Sequence, residues 1–182
     1  MQRSLPPAPW QRFLSEIDER LTEPVELHCI GGFVISLLYS MPRPTADVDF
    51  LTVVPQTEMR HLLELAGLGS ALHKRTGLHL QHVGVASLPE AYEARLIPMF
   101  PGAYTNLRLL GAEAYDLALS KLERNLGRDR EDIKHLDRTV PLDADVLEQR
   151  YEQELRPYLV NAERHDLTIR LWIEMLCEQS RR

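Results

Sequence analysis

Residues 31–50 read GGFVISLLYSMPRPTADVDF, and the fold turns on how this stretch is parsed. Gly31-Gly32 opens it, an apolar run follows, Pro42 and Pro44 interrupt, and Asp47-Val48-Asp49-Phe50 closes it. Proline cannot continue a helix, so the pattern predicts a helix over 33–39 that stops ahead of Pro42 and Pro44. Beyond them, residues 45–54 (TADVDFLTVV) predict a strand that alternates at first and then becomes a buried apolar run, as a central strand does. Ahead of the glycines, residues 25–30 (VELHCI) predict another strand behind Pro24. Gly31-Gly32 is therefore expected at a strand-to-helix turn.

Strand geometry gives the two aspartates a shared direction. A period of two puts Asp47 and Asp49 on one face, their Cβ atoms within about 7 Å. Like charges that close repel, and burying them unpaired is costly. A divalent cation is the natural neutraliser, and hard oxygen ligands favour Mg²⁺ or Mn²⁺. Taken alone, Asp-x-Asp reads equally well as a solvated strand edge, and Gly-Gly reads as a plain turn. The combination is more specific. Glycines let a backbone approach a ligand, and free N–H groups at a helix start attract phosphate. With Arg43 and Thr45 between them, the turn and the pair form a phosphate cradle opposite a metal pair, as nucleotide chemistry requires.

Outward from this stretch, Trp10, Phe13, Leu14, Ile17 and Leu21 form the apolar stripe of a helix over 9–21. Helices are expected at 56–66 and 70–75, and a strand at 77–85 (GLHLQHVGV). Weaker strands are expected at 95–100 and 107–110, around Pro101-Gly102. Helices should then cover 112–126, 128–138, 143–156 and 163–179. The order α-β-α-β-α-β-β followed by helices indicates an α/β fold of the α+β kind. A small mixed β-sheet is flanked by helices and carries a helical C-terminal extension. The expected division is a core over 1–138 and an extension over 139–182. The stripe Ile169, Trp172, Ile173, Leu176 and Cys177 serves that extension as core in preference to a dimer surface.

Composition bounds the rest. The 182 residues are 44% hydrophobic and 26% charged, an ordinary globular balance. A net charge of −6 argues against bulk nucleic-acid binding through overall charge. The start, MQRSLPPAPW, lacks the apolar region of a signal peptide, and no stretch approaches the roughly 18 apolar residues of a membrane helix. Cys29 and Cys177 read as reduced thiols of a cytoplasmic protein.

A second charged cluster lies at residues 116–136, DLALSKLERNLGRDREDIKHL. On one unbroken helix, Lys121, Arg128 and Asp132 fall within about 40° of each other, with Asp129 to one side. Gly127 is placed to break that helix. On composition the segment reads as a solvated face of mixed charge.

GGFVISLLYSMPRPTADVDF resembles the first motif of the DNA polymerase beta-like nucleotidyltransferases, Gly-Gly followed some way on by Asp-x-Asp. Within that superfamily the chain is most similar to the small bacterial branch of abortive-infection (AbiEii-type) and toxin–antitoxin nucleotidyltransferases and their domain-of-unknown-function relatives. The likeness covers residues 25–138. It implies a nucleoside triphosphate (NTP) as substrate and Mg²⁺ or Mn²⁺ held by Asp47 and Asp49. Gly31, Gly32, Phe33, Arg43, Thr45 and Arg128 stand at its nucleotide-binding positions. Lys121 and Arg128-Asp129-x-x-Asp132 match the branch's later motif, which implies that Lys121 contacts the triphosphate and that Asp132, in preference to Asp129, assists catalysis.

Two positions depart from that pattern. The 77–85 strand has no Asp or Glu where a third carboxylate is common; His79, Gln81 or His82 takes the place. Phe33 replaces a small hydroxyl residue after the glycines. Either Asp129 or Asp132 then holds a second metal, or the chain binds nucleotide without transferring it. Arg95 reads equally as a phosphate or acceptor contact and as a surface partner of Glu90 or Glu93.

The expected activity is transfer of a nucleoside monophosphate to a hydroxyl on tRNA, protein or a small molecule. For tRNA, Lys74, Arg75, Arg124, Arg128 and Arg130 would supply the basic patch. The alternatives are a degenerate binding module, paired with a cognate toxin or antitoxin, and a structural domain that dimerises through its last helix.

Overall fold

The computed structural model describes residues 5–84 and 86–179. Its contacts divide the chain into two compact units, residues 1–85 with 96–112, and residues 86–95 with 113–182.

The first unit holds the sheet. Helix α1 (Ala8–Asp18) buries Trp10, Phe13, Leu14 and Ile17 along the expected stripe. Strand β1 (Val25–Ile30) has the expected bounds. Helix α2 (Gly31–Leu38) begins at the glycines themselves, two residues earlier than expected. Strand β2 (Asp47–Val54) follows, then helices α3 (Met59–Ala66) and α4 (Ala71–Thr76). Ser70 caps α4 by accepting from the His73 N–H, and Gly77 closes it at φ +75°. That left-handed turn shortens the next strand, β3, to His79–His82; Val85 of the expected strand lies outside the described residues. Strands β4 (Ile97–Met99) and β5 (Leu107–Gly111) complete the sheet.

The strand order is β3-β2-β1-β5-β4. β1 runs antiparallel to β2 and parallel to β5, β2–β3 is parallel and β4–β5 antiparallel. The sheet is thus mixed, as expected. One face is apolar: Leu27, Cys29, Val48, Phe50, Val53, Leu80 and Leu109 are all at most 2% exposed. Helix α2 lies close on this face. A Cβ at Gly111 would stand 2.9 Å from both Val34 Cγ1 and Leu38 Cδ1, so a side chain there would force these groups to shift.

β2 does not continue as a buried run. His28 pairs with Thr52 and Cys29 with Phe50, leaving Leu51 as the extra residue of a β-bulge. The bulge resets the alternation, so Val48, Phe50 and Val53 all reach the core face. Without it Val53 would share the face of Asp47 and Asp49. Leu51 and Thr52 are half-buried, and Val54 is exposed.

The second unit is helical: α5 (Ala114–Leu119), α6 (Gly127–Thr139), α7 (Ala144–Arg150) and α8 (Ala162–Gln179). The helix expected over 112–126 ends at Leu119. The chain turns through 120–125, with Asn125 at φ +42°, and Asn125 Oδ1 accepts from the Trp172 indole N–H at 3.2 Å. Past α7 the chain winds on as a π-helical turn (Tyr151–Leu155). Ile169, Trp172 and Leu176 are buried, as the expected stripe requires, whereas Cys177 is exposed. Helices α6 and α7 both pack on α8. The contact boundary therefore falls near residue 112 rather than at the expected 138. Among the described residues no helix is long and apolar enough to cross a membrane.

Asp166 ties α8 to the preceding turn. Its carboxylate accepts from Arg156 at 2.8 and 3.0 Å and from the Tyr151 hydroxyl at 2.6 Å. These donors, Arg156 foremost, hold its pKa down at about 2. A carboxylate with a folded pKa below its unfolded value binds fewer protons when folded, so acidification favours unfolding. The contribution is fully present above about pH 4 and is lost as pH falls towards 2. Asp166→Asn should flatten the acid limb of a stability–pH curve in that window; an unchanged limb would count against this role.

Candidate active site at the glycine turn

β1 delivers its last residue, Ile30, opposite Asp49 of β2. The chain then turns sharply at Gly31, whose φ is +74°. A Cβ on Gly31 would collide with Asp49 Oδ2. The carboxylate therefore lies directly against the glycine backbone, a position that both the conformation and the contact reserve for glycine. A methyl on Gly32 would stand 3.3 Å from Thr45 Oγ1 and 3.9 Å from Arg43 Nη2. Arg43 thus brings a guanidinium to the N-terminal end of α2. The loop carrying it is tied back to the helix, where the Ser36 hydroxyl donates to the Arg43 carbonyl at 3.0 Å. Thr45 Oγ1 donates to Asp47 Oδ1 at 2.5 Å.

Asp47 and Asp49 are half-buried on one face, while Val48 and Phe50 between and beyond them are fully buried on the other. Three segments so bring Gly31, Gly32, Arg43, Thr45, Asp47 and Asp49 together. Cys29 underlies the site; burial, and then the Asp49 charge, push its thiol well above the usual range, which makes it an inert neutral group.

The parallel β2–β3 register sets His79 level with Asp47 and Gln81 level with Asp49, so both flank the pair on its own face. Gln81 is exposed and His79 half-buried. The His79 ring meets His73 edge-on at 5.1 Å. His82 stands level with Phe50 and belongs to the opposite face; its Nε2 lies 3.1 Å from the Leu51 carbonyl, and it does not join the carboxylates.

Residues 11–178 match the family model described as "Nucleotidyltransferase of unknown function (DUF6036)". The chain belongs to this nucleotidyltransferase family. No curated protein and no solved structure matches it. The DUF6036 match spans both units and covers the glycine turn, the aspartate pair and the later charged cluster.

The donor set fits the Mg²⁺ or Mn²⁺ that the resemblance of the glycine and aspartate motif implies. Mg²⁺ is commonly bound through one or two carboxylates, with substrate phosphates and water completing its shell. Asp47 and Asp49 supply that number of hard oxygen ligands. Among the described residues no cluster of three or more His, Cys, Asp or Glu is placed to hold a metal.

Other expected contacts fall elsewhere. Phe33 is fully buried, its ring 4.8 Å from that of Trp10; its side chain belongs to the core, and only its backbone faces the turn. Neither reading of Arg95 describes its position. It forks onto Asp116 at 2.9 and 3.0 Å and onto Glu154 at 2.7 and 3.2 Å, within the second unit. Arg150 joins this network through Glu113 and Asp116. Burial raises the Asp116 pKa against the lowering effect of Arg95, while Arg95 holds Glu154 down. No motif in the sequence marks this network, in which Asp116 and Glu154 stand 21 and 59 residues from Arg95.

Lys121, Asp129 and Asp132 do meet, but without a continuous helix and without Arg128, which is exposed. Lys121 is 5% exposed, with Nζ 2.8 Å from Asp132 Oδ2 and 3.6 Å from Asp129 Oδ1. Asp129 is central rather than off to one side. It accepts from Arg124 at 2.5 and 2.9 Å and from the Leu126 N–H at 2.9 Å, capping α6. Burial pushes its pKa up, but Arg124, the Leu126 N–H and Lys121 outweigh this and lower it. Of the expected basic patch, Arg75 pairs with Glu16, Arg124 with Asp129, and Arg130 donates to the Asn125 carbonyl at 3.2 Å.

Proposed function

We propose that this chain transfers a nucleoside monophosphate from an NTP to an acceptor hydroxyl on tRNA, a protein or a small molecule. The observation that carries the reading is the packing of the Asp49 carboxylate against Gly31, beside Asp47, with the Arg43 guanidinium next to Gly32. The first N–H groups of α2 lack intrahelical partners; with Arg43 they cradle the triphosphate. Asp47 and Asp49 would hold Mg²⁺ or Mn²⁺, which would neutralise phosphate oxygens and help to activate the attacking hydroxyl. The acceptor oxygen forms a bond to the α-phosphorus in line with the bond to the β-phosphate oxygen. That bond breaks, pyrophosphate leaves with its electron pair, and the hydroxyl proton passes to solvent. All of these roles fall to residues of the first unit.

The test combines binding with turnover. NTP with Mg²⁺ should raise the melting temperature of the wild type, and α-labelled nucleotide should move to one of the three acceptor pools. Asp47→Asn and Asp49→Asn should each cut transfer by more than the about 10–100-fold typical of a group that only supports a metal ligand. Equal transfer by the variants would sink the reading. The neutral Gln81 beside Asp49 favours a second reading, a module that binds nucleotide without transferring it. Stabilisation by NTP with no labelled product in any pool selects that reading. In a toxin–antitoxin or phage-defence setting either form would act beside a cognate partner.

A further inference from the structure

We infer that the protein's own donors hold a single divalent cation, and that Gln81 is the residue that sets this number. The inference rests on the reading of Asp47 and Asp49 as metal ligands. Paired cations in phosphoryl-transfer sites sit about 3.5–4 Å apart, so shared carboxylates must bridge them or flank both. Gln81 occupies the position from which a third ligand would act. It stands level with Asp49 on the adjoining strand, about 4.8 Å away across the ladder, on the same face, and exposed. An amide offers one uncharged oxygen where a carboxylate offers two charged ones.

The neighbours do not make up the difference. Asp47 Oδ1 already accepts from Thr45, which draws that carboxylate away from a bridging role. Asp49 Oδ2 is pressed against Gly31, which fixes its direction. His79, level with Asp47, offers an imidazole, a softer donor than Mg²⁺ prefers. No third His, Cys, Asp or Glu completes a metal cluster among the described residues. Two carboxylates balance one divalent charge; a second ion would add two positive charges with no further anionic ligand.

The experiment is a Mn²⁺ titration of nucleotide-free full-length protein, followed by calorimetry and electron paramagnetic resonance. The wild type and Gln81→Ala should each bind one ion with the spectrum of an isolated Mn²⁺. Gln81→Glu should bind two, with the signature of a spin-coupled pair. It should also melt below wild type without metal and recover in Mn²⁺, because its added carboxylate stands beside Asp49. Two ions in the wild type, or one in a folded Gln81→Glu, would overturn the inference and leave the metal-site reading intact. No binding by the wild type, matched by Asp47→Asn and Asp49→Asn, would remove the metal-site reading and the inference with it.

Discussion

Gly31→Ala is expected to abolish Mn²⁺ and nucleotide binding while leaving the sheet able to form. Two costs coincide at this position. An L-residue held in the left-handed region costs roughly 1–2 kcal/mol, and the native φ is +74°. The added methyl would also occupy the space of Asp49 Oδ2, so relief requires moving the carboxylate that is proposed to hold the metal. Gly32→Ala is the matched control. Its methyl would meet Thr45 Oγ1 at 3.3 Å, a contact that a shift of a few tenths of an ångström relieves. Melting curves and Mn²⁺ titration of the pair separate the effects. A Gly31→Ala protein that binds metal like wild type would refute the proposed coupling of the turn to Asp49.

The other large effect is expected at Lys121. Lys121→Met removes the cation that pairs with Asp132 at 2.8 Å in surroundings where both are almost wholly buried. Breaking such a pair from one side typically costs about 3–5 kcal/mol. At about 2–4 °C per kcal/mol for a chain of this size, the melting temperature should fall by about 6–20 °C. Asp129 keeps Arg124 and the Leu126 N–H, so most of the loss should come from Asp132. The double variant Lys121→Met/Asp132→Leu should recover much of it, since a buried pair replaced by apolar groups of similar size is often near neutral. A lysine whose task is to meet the triphosphate would behave differently: Lys121→Met would melt like wild type and lose only nucleotide affinity.

These expectations show where the sequence was informative. The bounds of β1 were legible because VELHCI is framed by Pro24 and Gly31, and the shared face of Asp47 and Asp49 followed from strand period alone. The start of α2 was misread because glycine is a poor helix former, yet here the left-handed Gly31 begins the helix. Phe33 is misplaced for a different reason: its motif position is read without the side-chain direction that the helix imposes. His82 fails as a third ligand because strand alternation puts it with Leu80, on the face opposite Gln81. The meeting of Lys121 with Asp132 was found from an unbroken helix that does not exist. The turn through Asn125 restores the encounter and leaves Arg128 outside. No local pattern reveals Arg95 reaching Asp116 and Glu154, which lie 21 and 59 residues further along the chain.

The bulge at Leu51 lets β2 carry one residue more than the strand beside it. Leu51 is the residue of β2 between the Glu26 and Ile30 pairings that has no partner in β1. Flattening the bulge with Leu51 retained would turn Val53 to the side of the aspartates, so that either the acids enter the core or Val53 leaves it. Deleting Leu51 would instead make Phe50 and Thr52 consecutive, and plain alternation would keep Val53 with Val48 and Phe50. The strand thus carries two messages written in opposite phase, ligands before the bulge and core after it, and the irregular step between them keeps both in frame.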